Sequence, residues 1–225
     1  VSFEDLGGAR VHSSKSGVVH MAAKDDKHCL DLIKDLHKKA DDLGQARPFV
    51  IYVPRARERF EPTASALGKL FKVAKRSEIL DEDLNLKHPL ENDLDILVGD
   101  SFGEMYFYLD LADAALVGGG FLSAGAHNII EPIAVSKPVF VGPSTWSIEY
   151  PSLEAIAAGI LVQEKTIQDL GQRIFDRLYV LKNSDNIDAR IQAFYARHTG
   201  AAARVVTALP DVLRAAGYAE NANLF

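Results

Sequence analysis

Residues 114–120 read AALVGGG, and this stretch decides the fold. Its four apolar residues lack the polar alternation of a half-exposed strand. Such a run predicts a strand covered on both faces, the usual state of strands in a parallel sheet. Three glycines follow at once, so the backbone at the carboxyl end of the strand is not screened by side chains. Working outward, residues 138–143 (PVFVGP), 95–100 (DILVGD), 48–54 (PFVIYVP) and 17–23 (GVVHMAA) repeat the pattern. Residues 71–74 and 160–163 are shorter versions of it. The gaps carry helical patterns. Residues 27–43 set Leu30, Ile33, Leu36 and Leu43 on one apolar stripe, and residues 57–70, 103–112, the segment after Asn128 and residues 152–158 fill the rest. This alternation predicts an α/β fold: a Rossmann-like, doubly wound parallel sheet with right-handed crossovers. The chain then ends in helices only, at roughly 167–182, 186–198 and 201–216. Residues 1–16 are polar and rich in Gly and Ser, so a flexible lead-in is expected there. Residues 17–225 are expected to form one domain with a helical C-terminal tail from about 166.

Composition narrows the function classes. Of the 225 residues 48% are hydrophobic and 25% charged, enough for a true core, which excludes disorder and small disulfide scaffolds. The 25 Lys and Arg against 31 Asp and Glu leave a net charge of −6, which argues against a dedicated nucleic-acid binder. Cys29 is the single cysteine, so no internal disulfide can form and no Cys spacing marks a metal site, and a reducing cytosolic compartment fits. No apolar run approaches the roughly 20 residues that span a bilayer, and no signal-peptide pattern opens the chain. The first residue is Val1 rather than Met, so a fragment, a processed product or a trimmed form is expected.

In doubly wound sheets ligands bind beyond the carboxyl ends of the strands, so those loops hold the candidate residues. Arg55, Arg57 and Arg59 follow the second strand, and a planar guanidinium there suits bidentate binding of phosphate or carboxylate. The competing reading is a charged helix start, with Arg57 and Arg59 in solvent or paired with Glu58 and Glu61. Gly99-Asp100-Ser101-Phe102-Gly103-Glu104-Met105 opens a helix, either as an anion site or as a plain start capped by Asp100 or Ser101. Gly118, Gly119 and Gly120 precede Ser123-Ala124-Gly125-Ala126-His127-Asn128-Ile129-Ile130-Glu131-Pro132, a plausible cradle for an anion. It matches neither the dinucleotide fingerprint nor a P-loop. Glu131 could accept two hydrogen bonds from a ribose diol. Asn128 and Glu131 could instead form a capping box, but Pro132 suits the first helical position better, which leaves Asn128 in the loop. In the fourth loop Trp146 could stack on a base or cover the end of the core. The seven histidines are scattered, so no metal is expected, and Asp81, Asp83, Asp93 and Asp95 read as structural acids despite their D-x-D spacing.

Five elements in order carry a family resemblance. They are Val53-Pro54-Arg55 with Glu58-Arg59-Phe60, the 99–105 loop, Ala112-Asp113 running into Gly118–120, Gly125-Ala126-His127-Asn128 with Glu131-Pro132, and Lys137-Pro138 running to Gly142-Pro143. Together they resemble the C-terminal half of bacterial lipid A Kdo (3-deoxy-D-manno-octulosonic acid) transferases, over roughly residues 17 to 215. The resemblance implies the donor half of a two-domain GT-B glycosyltransferase. The donor would be CMP-Kdo. The acceptor would be a lipid A precursor, bound by an N-terminal half that also supplies the catalytic base and the membrane contact. By itself this chain would then be inactive and carry no catalytic residue. Carried over position by position, Arg55 contacts the donor phosphate or carboxylate, Gly103, Glu104 and Met105 line the nucleotide pocket, and Gly118, Gly119 and Gly120 allow backbone approach. Asn128 and Glu131 serve the phosphate and the ribose hydroxyls. No cofactor, metal or nucleic acid is implied, and the full-length protein would sit at the cytoplasmic face of the inner membrane. The chain departs from the family's Pro-Arg-Gly-Gly-His-Asn at residues 123–128 and from its Ser-Thr-His-Glu pattern at 24–27. Its Thr145-Trp146-Ser147-Ile148 also replaces Thr-Phe-Asn-Phe. Two alternatives follow from these departures: a non-catalytic Rossmann-like relative acting as a binding module, and a GT-B enzyme that uses another nucleotide sugar.

Overall fold

The computed structural model describes residues 18–22, 26–90, 93–123, 125–181 and 186–215. The lead-in expected over residues 1–16 and the departure at residues 24–25 lie outside them. In chain order the elements are β1 (Val18–Ala22), α1 (Asp26–Asp42), β2 (Phe49–Tyr52), α2 (Phe60–Leu67), β3 (Val73–Lys75), α3 (Arg76–Ile79), β4 (Ile96–Val98), α4 (Met105–Leu111) and β5 (Ala114–Val117). Then follow α5 (Ile130–Ala134), β6 (Val139–Val141), α6 (Glu149–Ala157), β7 (Leu161–Gln163), α7 (Ile167–Phe175), α8 (Ile187–His198) and α9 (Ala201–Ala215).

The strands form one seven-stranded sheet in the order β3-β4-β2-β1-β5-β6-β7, and every neighbouring pair is parallel. The apolar runs read from the sequence are therefore strands of a doubly wound parallel sheet, flanked by helices and followed by a helical tail. Side chains alternate between its faces with the period of two that a strand imposes. Val50, Tyr52, Ile96, Val98, Ala114, Leu116 and Phe140 face one layer, with α1 and α7. Ile51, Val53 and Leu97 face the other side against Tyr108 and Ile79, and Val117, Val139 and Val141 do so against Ile129, Ile133 and Phe194. Gly171 lets α7 lie close on α1, because a Cβ there would stand 2.9 Å from Leu32 Cδ1.

Two local expectations change. Leu43 leaves the apolar stripe of α1 and is 63% exposed, because the helix ends at Asp42 and Gly44 turns away with φ +63°. Leu32 takes up the core position instead. Pro132 stands third in α5 rather than first. That position is tolerated because N–H groups of the first turn have no intrahelical partner to lose.

The chain winds outward from β1 through β2 to β4 and β3, then returns to place β5 beside β1. The winding direction thus reverses between β1 and β5, where such sheets open a crevice at their carboxyl edge. The glycine turn of residues 118–120 lies on that crevice.

Candidate functional site

Three loops meet at the carboxyl ends of β5, β6 and β2. The glycine turn is buried and laced to its neighbours by backbone hydrogen bonds. His127 N–H donates to the Gly118 carbonyl at 3.0 Å, Leu122 N–H to Gly119 at 2.9 Å and Ser144 N–H to Gly120 at 2.8 Å. A Cβ on Gly119, where φ is +91°, would overlap the Gly125 carbonyl oxygen. One on Gly120 would stand 2.6 Å from the Gly142 nitrogen. These glycines are therefore needed first for the close approach of the chain to itself.

Arg55 reaches this place from the loop after β2. Its Nη1 donates to His127 Nδ1 at 2.6 Å, across 72 residues of sequence. A guanidinium only donates, so Nδ1 accepts and the ring proton sits on Nε2. The exposed Arg55 side chain is thereby held over the loop that joins the glycine turn to α5. Asn128 Oδ1 accepts the Ile130 N–H at 2.9 Å from the loop before α5, whose N-cap Ile129 makes no side-chain cap, so no capping box forms between Asn128 and Glu131. The Asn128 amide nitrogen has no partner among the described residues. Glu131, half-buried in the first turn of α5, likewise forms no hydrogen bond or ion pair among them. Arg55, the glycine turn, Asn128 and Glu131 thus gather at one place.

Gly103, Glu104 and Met105 belong to a separate loop after β4, with β2 and β1 intervening before β5. At about 4.8 Å per strand spacing, the two loops stand roughly 14 Å apart along the edge. Gly103 has φ +81° with open space around it, and Met105 begins α4 and packs into the core. The Glu104 carboxylate is engaged by the protein itself. Oε1 accepts from Arg76 Nη2 at 2.5 Å, and Oε2 from Ser101 Oγ and from Tyr108 OH at 3.2 Å. Burial among these groups pushes the Tyr108 phenol well above its ordinary pKa. Asp100 caps neither α4 nor its own loop. It accepts from Ser77 N–H at 2.8 Å and from Ser77 Oγ, on α3. Sequence reasoning missed Arg76 and Ser77 because no motif surrounds them, although their place right after β3 marks a strand-end loop.

Trp146 is 66% exposed, so it does not cover the core. Its Nε1 donates to the Ser123 carbonyl at 2.6 Å and Ser147 Oγ to that of Ala126 at 2.9 Å, which ties Ser123 and Ala126 to the loop after β6. Glu61 pairs with Lys75 at 2.8 Å rather than with Arg57 or Arg59. The D-x-D acids shape turns: Asp81 Oδ1 accepts from Asp83 and Asn85 N–H, and Asp95 Oδ2 from Lys72 N–H at 2.9 Å. Among the described residues no His/Cys/Asp/Glu cluster suited to a metal ion occurs, and no helix is long and apolar enough to cross a membrane. A polar cleft of about 400 Å³ beside Asp113, Lys137 and Arg177 opens at the amino ends of β5 and β6, at the opposite edge of the sheet from the glycine turn.

Comparison with known proteins bears on the fold and the family. A curated 3-deoxy-D-manno-octulosonic acid transferase of Bordetella pertussis is 33% identical over 168 residues, covering 74% of this chain and 38% of that protein. The Rickettsia bellii transferase of the same name is 26% identical over 195 residues, covering 83% of this chain and 41% of that protein. The crystal structure of the C-terminal CMP-Kdo binding domain of WaaA from Acinetobacter baumannii superposes with a TM-score of 0.68 at 20% identity. That match covers 83% of this chain and 94% of that one. A family profile described as Carboxyl transferase domain matches residues 1–62. That is well under half of the chain and coincides with the first strand–helix–strand unit, so it does not define the family. The fold and the sequence relatives define the C-terminal domain of a GT-B glycosyltransferase. Within that class the chain belongs with the Kdo transferases. It corresponds to their C-terminal part and spans about two fifths of the length of the curated relatives it matches.

Proposed function

We propose that residues 17–225 form the donor-binding domain of a Kdo transferase and hold CMP-Kdo along the carboxyl edge of the sheet. The observation that carries this reading is the Arg55–His127 contact, which brings a cation from β2 over the glycine turn and the first turn of α5. In this reading Arg55 binds the donor phosphate or carboxylate, and the backbone of Gly118–Gly120 lines the approach of the phosphate. The Asn128 amide nitrogen donates to the same anion. Glu131, whose carboxylate has no partner among the described residues, accepts from the ribose hydroxyls. The loop of Gly103, Glu104 and Met105 meets the base end through its backbone, since the Glu104 carboxylate is taken. One phosphate and one carboxylate need no metal to neutralise them when a guanidinium and backbone N–H groups face them.

The acceptor is proposed to be a lipid A precursor, with Kdo transferred to one of its hydroxyls at the cytoplasmic face of the inner membrane. The catalytic base, the acceptor pocket and the membrane contact are assigned to the part of the longer relatives that this chain does not span, so the chain alone should turn nothing over. Calorimetry tests the donor site. CMP should bind the folded chain, and silence at millimolar CMP would overturn the reading. Glu131→Gln should weaken CMP about tenfold, the ~1.5 kcal/mol of a charged hydrogen bond, and leave inorganic phosphate nearly unchanged. Equal losses for both ligands would remove the ribose role. Because Glu131 and the glycine turn would suit other nucleotide sugars, a panel of CMP, UMP and UDP decides donor identity.

A further inference from the structure

We propose that Arg76 is the positioning residue of the nucleotide-facing loop: through Glu104 it fixes the conformation in which residues 99–105 meet the base. The proposal rests on the donor reading above and adds a residue that touches no ligand.

Arg76 is buried at 7% exposure, although it carries a permanent charge. Removing a guanidinium from water is unfavourable unless a carboxylate compensates it in good geometry. That compensation comes from Glu104 Oε1 at 2.5 Å, with the Leu80 carbonyl at 3.4 Å as a weaker second acceptor, while the buried Nε has no hydrogen-bond partner. A pair placed only for stability could be replaced by apolar side chains at little cost. What the ion pair adds is direction, because it joins α3 to a loop 28 residues further along. Ser77, the next residue, grips the same loop at Asp100 through its N–H and hydroxyl. One turn of helix thus clamps both ends of the segment 100–104. Between the clamped ends, Phe102 (64% exposed) and Gly103 are presented outward, the Phe102 ring 5.4 Å from that of Phe60. Glu104 transmits the constraint inward as well, since it holds Ser101 and Tyr108. Without Arg76 the Glu104 carboxylate would be left half-buried beside a phenol and would turn to water, and the tip would lose its fixed form.

The test separates the base from the rest of the nucleotide. CMP and ribose 5-phosphate are titrated into the 225-residue chain and its Arg76→Gln, Arg76→Lys and Glu104→Gln variants, with folding checked by thermal melting. Arg76→Gln and Glu104→Gln should each weaken CMP about tenfold, the scale of a misplaced binding group, while ribose 5-phosphate changes by less than about twofold. Arg76→Lys, which keeps the charge but not the fork, should fall between. Amide exchange over residues 99–105 should quicken in the variants while β2 is unchanged. If Arg76→Gln does not fold, the other two variants are read in the same way. Parallel loss of both ligands, or no change in CMP, would overturn the positioning role. A parent chain that binds neither ligand would overturn the donor reading and this inference with it.

Discussion

At the scale of single residues, the glycines of the site divide by what constrains them. Gly120 is held by space and Gly103 by backbone angle, so the two should respond differently to substitution. Gly120→Ala puts a Cβ 2.6 Å from the Gly142 nitrogen, in backbone that cannot yield, and should destabilise the chain by roughly 1–3 kcal/mol. Gly103→Ala meets no atom within 4 Å and pays only for its left-handed φ, roughly 1–2 kcal/mol. Gly103→Asn should recover most of that loss, because Asn tolerates the left-handed region, whereas Gly120→Asn should be worse than Gly120→Ala. Urea midpoints of the four variants check the contrast, and recovery at position 120 would refute the packing argument. The sequence marked both positions as glycine but not the reason for either, since the atoms that crowd Gly120 belong to residue 142. Arg55 was legible as a strand-end cation. Its partner His127 was not, because nothing local to residue 55 points 72 positions ahead.

At the scale of elements, the apolar runs located all seven strands, though the run 114–120 overran β5 by its three glycines, and most helices followed from the gaps between them. The misses are short elements. The four residues of α3 carry no periodic signal; Glu78 accepts the Lys75 N–H at their start, and Ser77 ties them to the 99–105 loop. The longer α8 shows the opposite case: Ile187, Ile191 and Phe194 recur at helical spacing and lie buried against Ile133, Val139 and Leu161. Phe194→Ala should therefore cost about 3–5 kcal/mol through the cavity it leaves. Val205→Ala on α9, none of whose described side chains is buried, should stay within about 0.5 kcal/mol. Denaturant unfolding of both variants checks this, and a similar cost for the two would mean that α8 does not anchor the sheet.

For the whole molecule, one buried histidine links stability to pH. His37 on α1 contacts the Pro48 carbonyl at 3.1 Å and lies edge-on to Phe71, and burial lowers its pKa below the ordinary 6.5. Asp95, 3.9 Å away, offsets that only in part. The unfolded chain therefore takes up the proton near 6.5 while the folded chain resists it, so this contribution is complete above pH 6.5 and is lost as pH falls below it. Stability should drop from pH 7.5 to pH 5.5, and His37→Gln, which can still donate to Pro48, should flatten that drop. An unchanged slope in the variant would locate the titration elsewhere.

The local sequence determined the parallel strands and the family, because burial on both faces and tight turns demand particular residue types within a few positions of each other. Only the tertiary structure decided the sheet order, with β4 inserted between β2 and β3, and the partners of Arg55, Arg76 and Glu104. Those choices arise from contacts across 28 and 72 residues, where the free energy depends on distance in space and leaves no periodic trace along the chain.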